Sequence, residues 1–245
     1  MKNTILLVLL ATSFLSYSQQ KESTGTSLFK KAGTAFKTKG GASSLSNEEI
    51  IAGLKEALSV GAQNSSNKLS ALDGFFANAA IKVLMPAEAK KVETTLRNAG
   101  MGEMVDNAIL SMNRAAEEAS KSAAPIFVDA IKQMGFQDAL SILKGTDTAA
   151  TSYLKGKTLT ALTTAFKPVI DQALLKTDAT KHWKTVFETY NKLPTTFKKI
   201  NTDLSRYVTD KALSGLFYQV AIEEQKIRKD PAARVNDVLK KVFGN

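Results

Sequence analysis

DTAATSYLKGKTLTALTTAFKPVIDQALLK, residues 147–176, decides the fold. Read as two elements, it holds the end of a phosphate-gripping loop, Gly156-Lys157-Thr158, and then a helix; the chain would be a nucleotide-binding α/β protein. Read as one element, it is a single long helix. A loop of the form G-x-x-x-x-G-K-[ST] needs its first glycine so that backbone N–H groups can curl around phosphate, and it needs a buried strand in front. Thr151 stands where that glycine belongs. The preceding SILKGTDTAA (141–150) reads as helix and turn, and no apolar run ending in aspartate supplies a second magnesium ligand. Apolar residues pair instead at 149/150, 153/154, 161/162, 165/166, 169/170 and 173/174, a helical period, with a polar slot at 157/158. The stretch is therefore one helix with Lys155 and Lys157 on its solvent side. Gly156 is expected to permit close packing or a bend. Pro168 is expected to kink the helix, because its ring collides with the Thr164 carbonyl.

Outward from this helix the same period recurs. Ser46-Asn47-Glu48-Glu49 is a capping box, followed by an apolar stripe of Ile50, Ile51, Leu54, Ala57 and Leu58. DGFFANAAIKVLMP (73–86) is a turn and a short apolar run, the one place that resembles a strand. Pro86 opens a helix that stops at Asn98-Ala99-Gly100. Further helices are expected from about Glu103 to Ser122, from Pro125 to Gly135, over FQDALSILKG (136–145), from Lys181 to Lys192 before Pro194, and from Asp203 to Lys229 with an interruption near Thr209-Asp210. A last one runs from Pro231 to near Phe243-Gly244. No β-alternation lasts more than a few residues, so the class is all-α: a single multi-helix domain of about eight or nine helices over residues 46–245.

What precedes that domain bears on location. MKNTILLVLLATSFLSYS (1–18) has a lysine near its start, an apolar run from Ile5 to Ala11, and small residues at Ser16 and Ser18 before Gln19. This is the pattern of a secretory signal peptide. With no cysteine after the run, a lipoprotein is excluded. The chain is expected to be exported, periplasmic or secreted, where ATP is scarce. Residues 19–45 are a flexible linker rich in Lys, Ser, Thr and Gly. Much of the net charge of +10 sits in that linker. Within it Leu28, Phe29, Lys30, Lys31 and Phe36 form a short basic amphipathic segment that could touch an anionic membrane surface, although a solvated tail fits the composition better.

Several chemistries are excluded by inventory. There are no cysteines, so there are no disulfides, thiolate metal sites or thiol nucleophiles. The single histidine, His182, cannot furnish a di-metal helical bundle, and no G-x-S-x-G offers it a nucleophile. Beside Trp183 it reads as an aromatic contact. GTDTAAT has one aspartate, too few for calcium. No cofactor is implied. Despite the basic balance, arginines are few and not interleaved with aromatics, so nucleic acid is not an expected partner.

Two acidic pairs remain, Glu117-Glu118 and Glu223-Glu224, each near arginine. Arg114 stands one turn before Glu117, and Arg228 follows Glu224 by four positions. Alanines around Glu117 let helices approach closely, and a covered carboxylate must be paired. One reading is a polar pocket of Arg114, Glu117, Glu224, Arg228 and Arg234 gripping a small ligand. The other, which structural networks produce equally well, is an interhelical ion-pair network that fixes packing.

DGFFANAAIKVLMP, MNRAAEEASKSAAPIFVDAIKQM, DALSILKGTDTAATSYLKGKT, PVIDQAL and GLFYQVAIEEQKIRKDPAARVNDVLKKVFG together resemble a bacterial family known as domain of unknown function 4197, over about residues 46–244. The resemblance implies exported helical proteins of Gram-negative bacteria, and the leader and lysine-rich tail look like those of Bacteroidota members. It supplies no activity and no residue roles. The reading reached is a non-catalytic binding or envelope-associated protein whose partner is an unknown protein or small ligand. The alternatives are a lipid or small-ligand carrier with a cavity lined by Phe127, Phe166, Leu216 and Phe217, or an enzyme using Glu117 or Glu224 as general base.

Overall fold

The computed structural model describes residues 46–176, 179–192, 203–230, 233, 234 and 240. The leader, the basic tail with Leu28, Phe29, Lys30, Lys31 and Phe36, the break at Pro194 and nearly all of the expected last helix lie outside the described residues, as does the His182 side chain. The helices are α1 (Asn47–Ser70), α2 (Lys90–Asn98), α3 (Gly102–Ser120), α4 (Ala123–Lys132), α5 (Phe136–Lys144), α6 (Ala149–Lys176), α7 (Ala179–Asn191) and α8 (Leu204–Lys229). Among the described residues there is no strand.

Local chemistry sets several of the ends. Ser46 Oγ accepts from Glu49 N at 3.2 Å while Ser46 N donates to Glu49 Oε2 at 2.8 Å, the reciprocal box that starts α1. After Pro86 a single 3₁₀ turn, Ala87–Ala89, leads into α2. The chain leaves α2 through Gly100 at φ 78°, a left-handed conformation that a side chain would strain. Asp203 caps α8 by accepting from Arg206 N at 3.0 Å.

α6 stays helical on both sides of Pro168; that residue and Thr164 are both exposed, where water can reach the carbonyl that proline cannot bond. The interruption expected in α8 does not occur. α8 continues through Thr209-Asp210, because Val208, Ala212 and Leu213 keep the buried stripe unbroken; the Thr209 hydroxyl is satisfied within the helix by Ser205 O at 2.7 Å.

α6 packs on α8 and α3, α1 on α4 and α8, and α7 on α3. α6 and α8 run antiparallel: Glu224 reaches Ala150 and Thr151, whereas Lys167 Nζ reaches Ser205 Oγ at 3.3 Å. Phe75, Phe127, Phe166, Met112 and Leu216 are fully buried in one core, each contributing on the order of 1.5–3 kcal/mol by leaving water. Residues 73–86 are neither helix nor sheet. They form turns and an extended run that contacts both α3 and α8.

Candidate functional site

An irregular segment beside a core must find partners for its backbone groups, because an unpaired buried N–H costs about 1–3 kcal/mol. α3 provides them from two residues one helical turn apart. Asn113 Oδ1 accepts from Val83 N at 2.8 Å while its Nδ2 donates to Val83 O at 2.8 Å and Ile109 O at 2.7 Å. The amide thus acts as a one-residue strand partner. Glu117, 4% exposed, accepts at Oε1 from Phe75 N at 3.1 Å and Phe76 N at 3.2 Å. Its Oε2 takes Arg114 Nη1 at 2.7 Å, and Arg114 Nη2 continues to Asp73 Oδ1 at 2.7 Å. Asp73 is the only described non-glycine residue at positive φ, 66°, so the turn that begins the segment is held from both sides. Burial works against the Arg114 charge, yet the hydrogen bonds to Glu117 and Asp73 hold its pKa above the ordinary guanidinium value.

Glu224, 6% exposed, does a related task on α6. Oε1 accepts from Ala150 N at 3.0 Å, and Oε2 accepts from Thr151 N at 2.9 Å and Thr151 Oγ1 at 2.8 Å. A carboxylate from α8 therefore closes the first turn of α6, where unpaired N–H groups and the helix dipole favour negative charge. Arg228 backs it through Nε at 3.0 Å and Nη2 at 2.9 Å, and Nη2 also donates to Ile142 O at 2.7 Å near the end of α5. Arg234 lies at the far end of α8, where Nη2 donates to Arg228 O at 3.1 Å.

The five residues therefore divide rather than converge. The groove that Arg114 and Glu117 line lies against Val169, Ala173 and Lys176 of α6, whereas Glu224 holds Ala150 and Thr151 at the helix's other end. At about 1.5 Å of rise per residue the two are roughly 30 Å apart along the helix. Each cluster is an interhelical polar network. Asn113 and Asp73 belong to the first and were not singled out in the sequence. The sign was there: Asn113 and Glu117 continue the row of Val105 and Ile109 at a spacing of i, i+4, two polar residues on an apolar line.

The other sequence candidates sit as follows. Phe127, Phe166, Leu216 and Phe217 are all buried core residues, with Phe127 and Phe217 in edge-to-face contact at 5.8 Å, so they fill the space they were expected to line. Lys155 and Lys157 are exposed as expected. Gly156 is exposed too, with nothing within 4 Å of a Cβ placed on it, so it serves no close packing inside the molecule. Among the described residues no group of three His, Asp or Glu side chains is placed to hold a metal ion, and every buried side-chain N or O atom has a hydrogen-bond partner. No described helix is long and apolar enough to cross a membrane.

Open space lies between helices. A groove of about 370 Å³ is lined by Arg114, Glu117, Leu72, Val169 and Lys176, and Leu72 stands 76% exposed on its edge. A second, of about 360 Å³, runs between α4 and α6 beside Tyr153 and Lys157. Burial and then the Asp138 charge push the Tyr153 phenol above its usual pKa.

A family model described as "Protein of unknown function (DUF4197)" matches residues 44–244. No curated protein and no solved structure matches the chain.

Proposed function

This chain belongs to the DUF4197 family of proteins of unknown function, and from that premise we propose that it is an exported, non-catalytic binding protein of the Gram-negative cell envelope. One observation carries the non-catalytic part. Both covered carboxylates, Glu117 and Glu224, have each oxygen occupied by backbone N–H, hydroxyl or arginine donors. A general base needs a carboxylate oxygen open to a substrate proton; here every oxygen already holds at least one donor that belongs to the fold. What the fold leaves open is the set of grooves between helices, within or near the roughly 300–1,000 Å³ that small-molecule sites occupy. Export is supported by the leader pattern of residues 1–18.

The test is to isolate the protein from a periplasmic extract and examine it by native mass spectrometry beside its Glu117→Gln and Glu224→Gln variants. The expected result is a mature chain beginning at Gln19, a non-covalent adduct lost on denaturation, and the same adduct on both variants at a temperature where they stay folded. A chain retaining Met1 in the cytoplasmic fraction would defeat export. Turnover of a substrate abolished by either Gln variant while still folded would defeat the binding reading.

A further inference from the structure

α6 buries Leu154, Leu162, Phe166 and Ile170 in turn, and between the first two stands Thr158. The Thr158 hydroxyl is used internally, donating to Leu154 O at 2.6 Å. Ala161 on α6 and Ala130 on α4 are short as well. Three small side chains where neighbouring turns carry large ones leave the groove of about 360 Å³ between α4, the start of α5 and α6. This is the polar slot visible at 157/158 in the sequence.

Its walls are apolar and aromatic, Ile126 and the Tyr153 ring, and its rim carries Asp129, Asp138 and Lys157. The chain as a whole is +10, yet here two carboxylates face one lysine. The groove over Arg114 carries two charges of each sign, and the one between α6 and α7 carries two lysines and one glutamate. Neither acid of the α4–α6 groove is locked away. Asp129 meets Lys132 at 3.6 Å with both side chains about 70% exposed, a contact worth at most about 1 kcal/mol. Asp138 uses Oδ2 for Gly135 N at 3.0 Å and, more weakly, for the Tyr153 hydroxyl at 3.4 Å. The Tyr153 ring already faces a cation, since Lys157 Nζ lies 5.7 Å from its centroid.

We propose that this groove binds a small organic cation, an amine with an apolar or aromatic body. The ammonium group sits at Asp129 and Asp138, and the body lies over Ala130 and Ala161 against Ile126 and the Tyr153 ring. An anion of the same shape meets two carboxylates and is excluded. This rests on the binding-protein reading above and names its ligand class.

The test is a two-dimensional amide NMR titration of the full chain with phenethylamine, and separately with phenylacetate, an anion of similar shape. Phenethylamine should give saturable shifts on amides of α4 and α6 around the groove, with a Kd of about 1 mM or tighter, and phenylacetate should give none there. Asp129→Asn should weaken amine binding about threefold, the scale of one exposed charge pair. Ala161→Leu, on an exposed position, should fill the groove and abolish the shifts with the melting temperature kept. Equal shifts from both probes, no saturable shift with the amine, or amine binding untouched by Ala161→Leu would each overturn the cation site. If the site fails while a retained adduct survives on the purified protein, the ligand is of another class and the binding reading stands. If turnover is found, the binding reading falls whatever the titration gives.

Discussion

Replacing Gly215 and Gly156 by alanine, one at a time, should move stability in opposite directions. Both lie inside long helices, α8 and α6, where alanine is intrinsically better than glycine by about 1 kcal/mol. At Gly156 a Cβ would meet nothing within 4 Å, so that gain stands alone; for a chain of this size it raises Tm by about 2–4 °C. At Gly215 a Cβ would lie 2.5 Å from Phe75 Cε1, 3.1 Å from Phe75 Cζ and 3.3 Å from Ile81 Cβ. Phe75 is fully buried and its N–H is held by Glu117 at 3.1 Å, so the ring cannot move aside without breaking that bond or shifting its neighbours. Overpacking of this kind costs about 1–3 kcal/mol. With the upper figure for so close an approach, and the propensity gain set against it, Gly215→Ala loses about 2 kcal/mol, a fall of roughly 4–8 °C. Thermal unfolding followed by far-UV circular dichroism, repeated with urea, reads both signs. Phe75→Leu in the Gly215→Ala background should recover part of the loss. A Gly215→Ala protein as stable as Gly156→Ala would refute the direct packing of residues 73–86 on the α8 backbone.

Glu117→Ala should cost about 1–3 kcal/mol for each buried backbone N–H it leaves without an acceptor, those of Phe75 and Phe76, while Arg114 keeps Asp73 as its partner; an unchanged melting temperature would show the carboxylate is not covered. Glu224→Ala should open the first turn of α6, seen as faster hydrogen exchange at the Ala150 and Thr151 amides relative to those of mid-helix residues. Asn113→Leu should cost about 1–3 kcal/mol by orphaning the Val83 N–H, measured by urea unfolding. Asp171 is held below the usual carboxylate pKa by the Ser205 hydrogen bond and by Lys167, against the opposing effect of burial. A depressed folded pKa stabilises above the unfolded value of about 4 and is lost as pH falls through the folded one. Asp171→Asn should therefore be slightly less stable than wild type at neutral pH and indistinguishable from it in strong acid.

Periodicity made the helices legible because it depends only on which side chains leave water. The α6 stripe, the Ser46 box and the Gly100 stop could be read from the chain, and so could the strand-like exception at 73–86. The interruption expected near Thr209-Asp210 is absent because residue type alone leaves out the buried stripe of Val208, Ala212 and Leu213 that carries the helix across. Pro168 stands on a solvent face, and α6 stays helical on both sides of it. Glu117 and Glu224 could be picked out as covered carboxylates, but not their true partners. Each bonds to backbone N–H groups of residues 41 or more positions away, and a backbone donor has no letter in the sequence. Only the arginines, one turn off on the same helix, were visible, which is why two sites looked like one.

The same arithmetic explains how helices with so many alanine faces acquire one arrangement. Alanine surfaces pack closely but slide easily, since one small side chain resembles the next. What fixes register here is a set of polar side chains that cross from one helix to close the end of another. Glu224 closes the start of α6; Ser66 of α1 donates to Ser120 O at the end of α3 at 2.7 Å; Lys55 of α1 donates to Lys132 O at the end of α4 at 2.8 Å; Arg228 of α8 reaches Ile142 O in the last turn of α5. A helix end has up to four unmet groups at a definite place, so each such bond names an address that an apolar face cannot. A carboxylate used in that way has its oxygens directed at backbone N–H groups and holds a helix end or a turn in place. Loss of either carboxylate would thus loosen a helix end or a turn, whereas occupation of the α4–α6 groove touches none of these bonds and meets only the Asp138 contacts with Gly135 N at 3.0 Å and the Tyr153 hydroxyl at 3.4 Å. Ligand binding in that groove should accordingly leave exchange at Ala150, Thr151, Phe75 and Phe76 unchanged while slowing it on α4, and slowed exchange at those four amides would mean the ligand acts through the buried carboxylates after all.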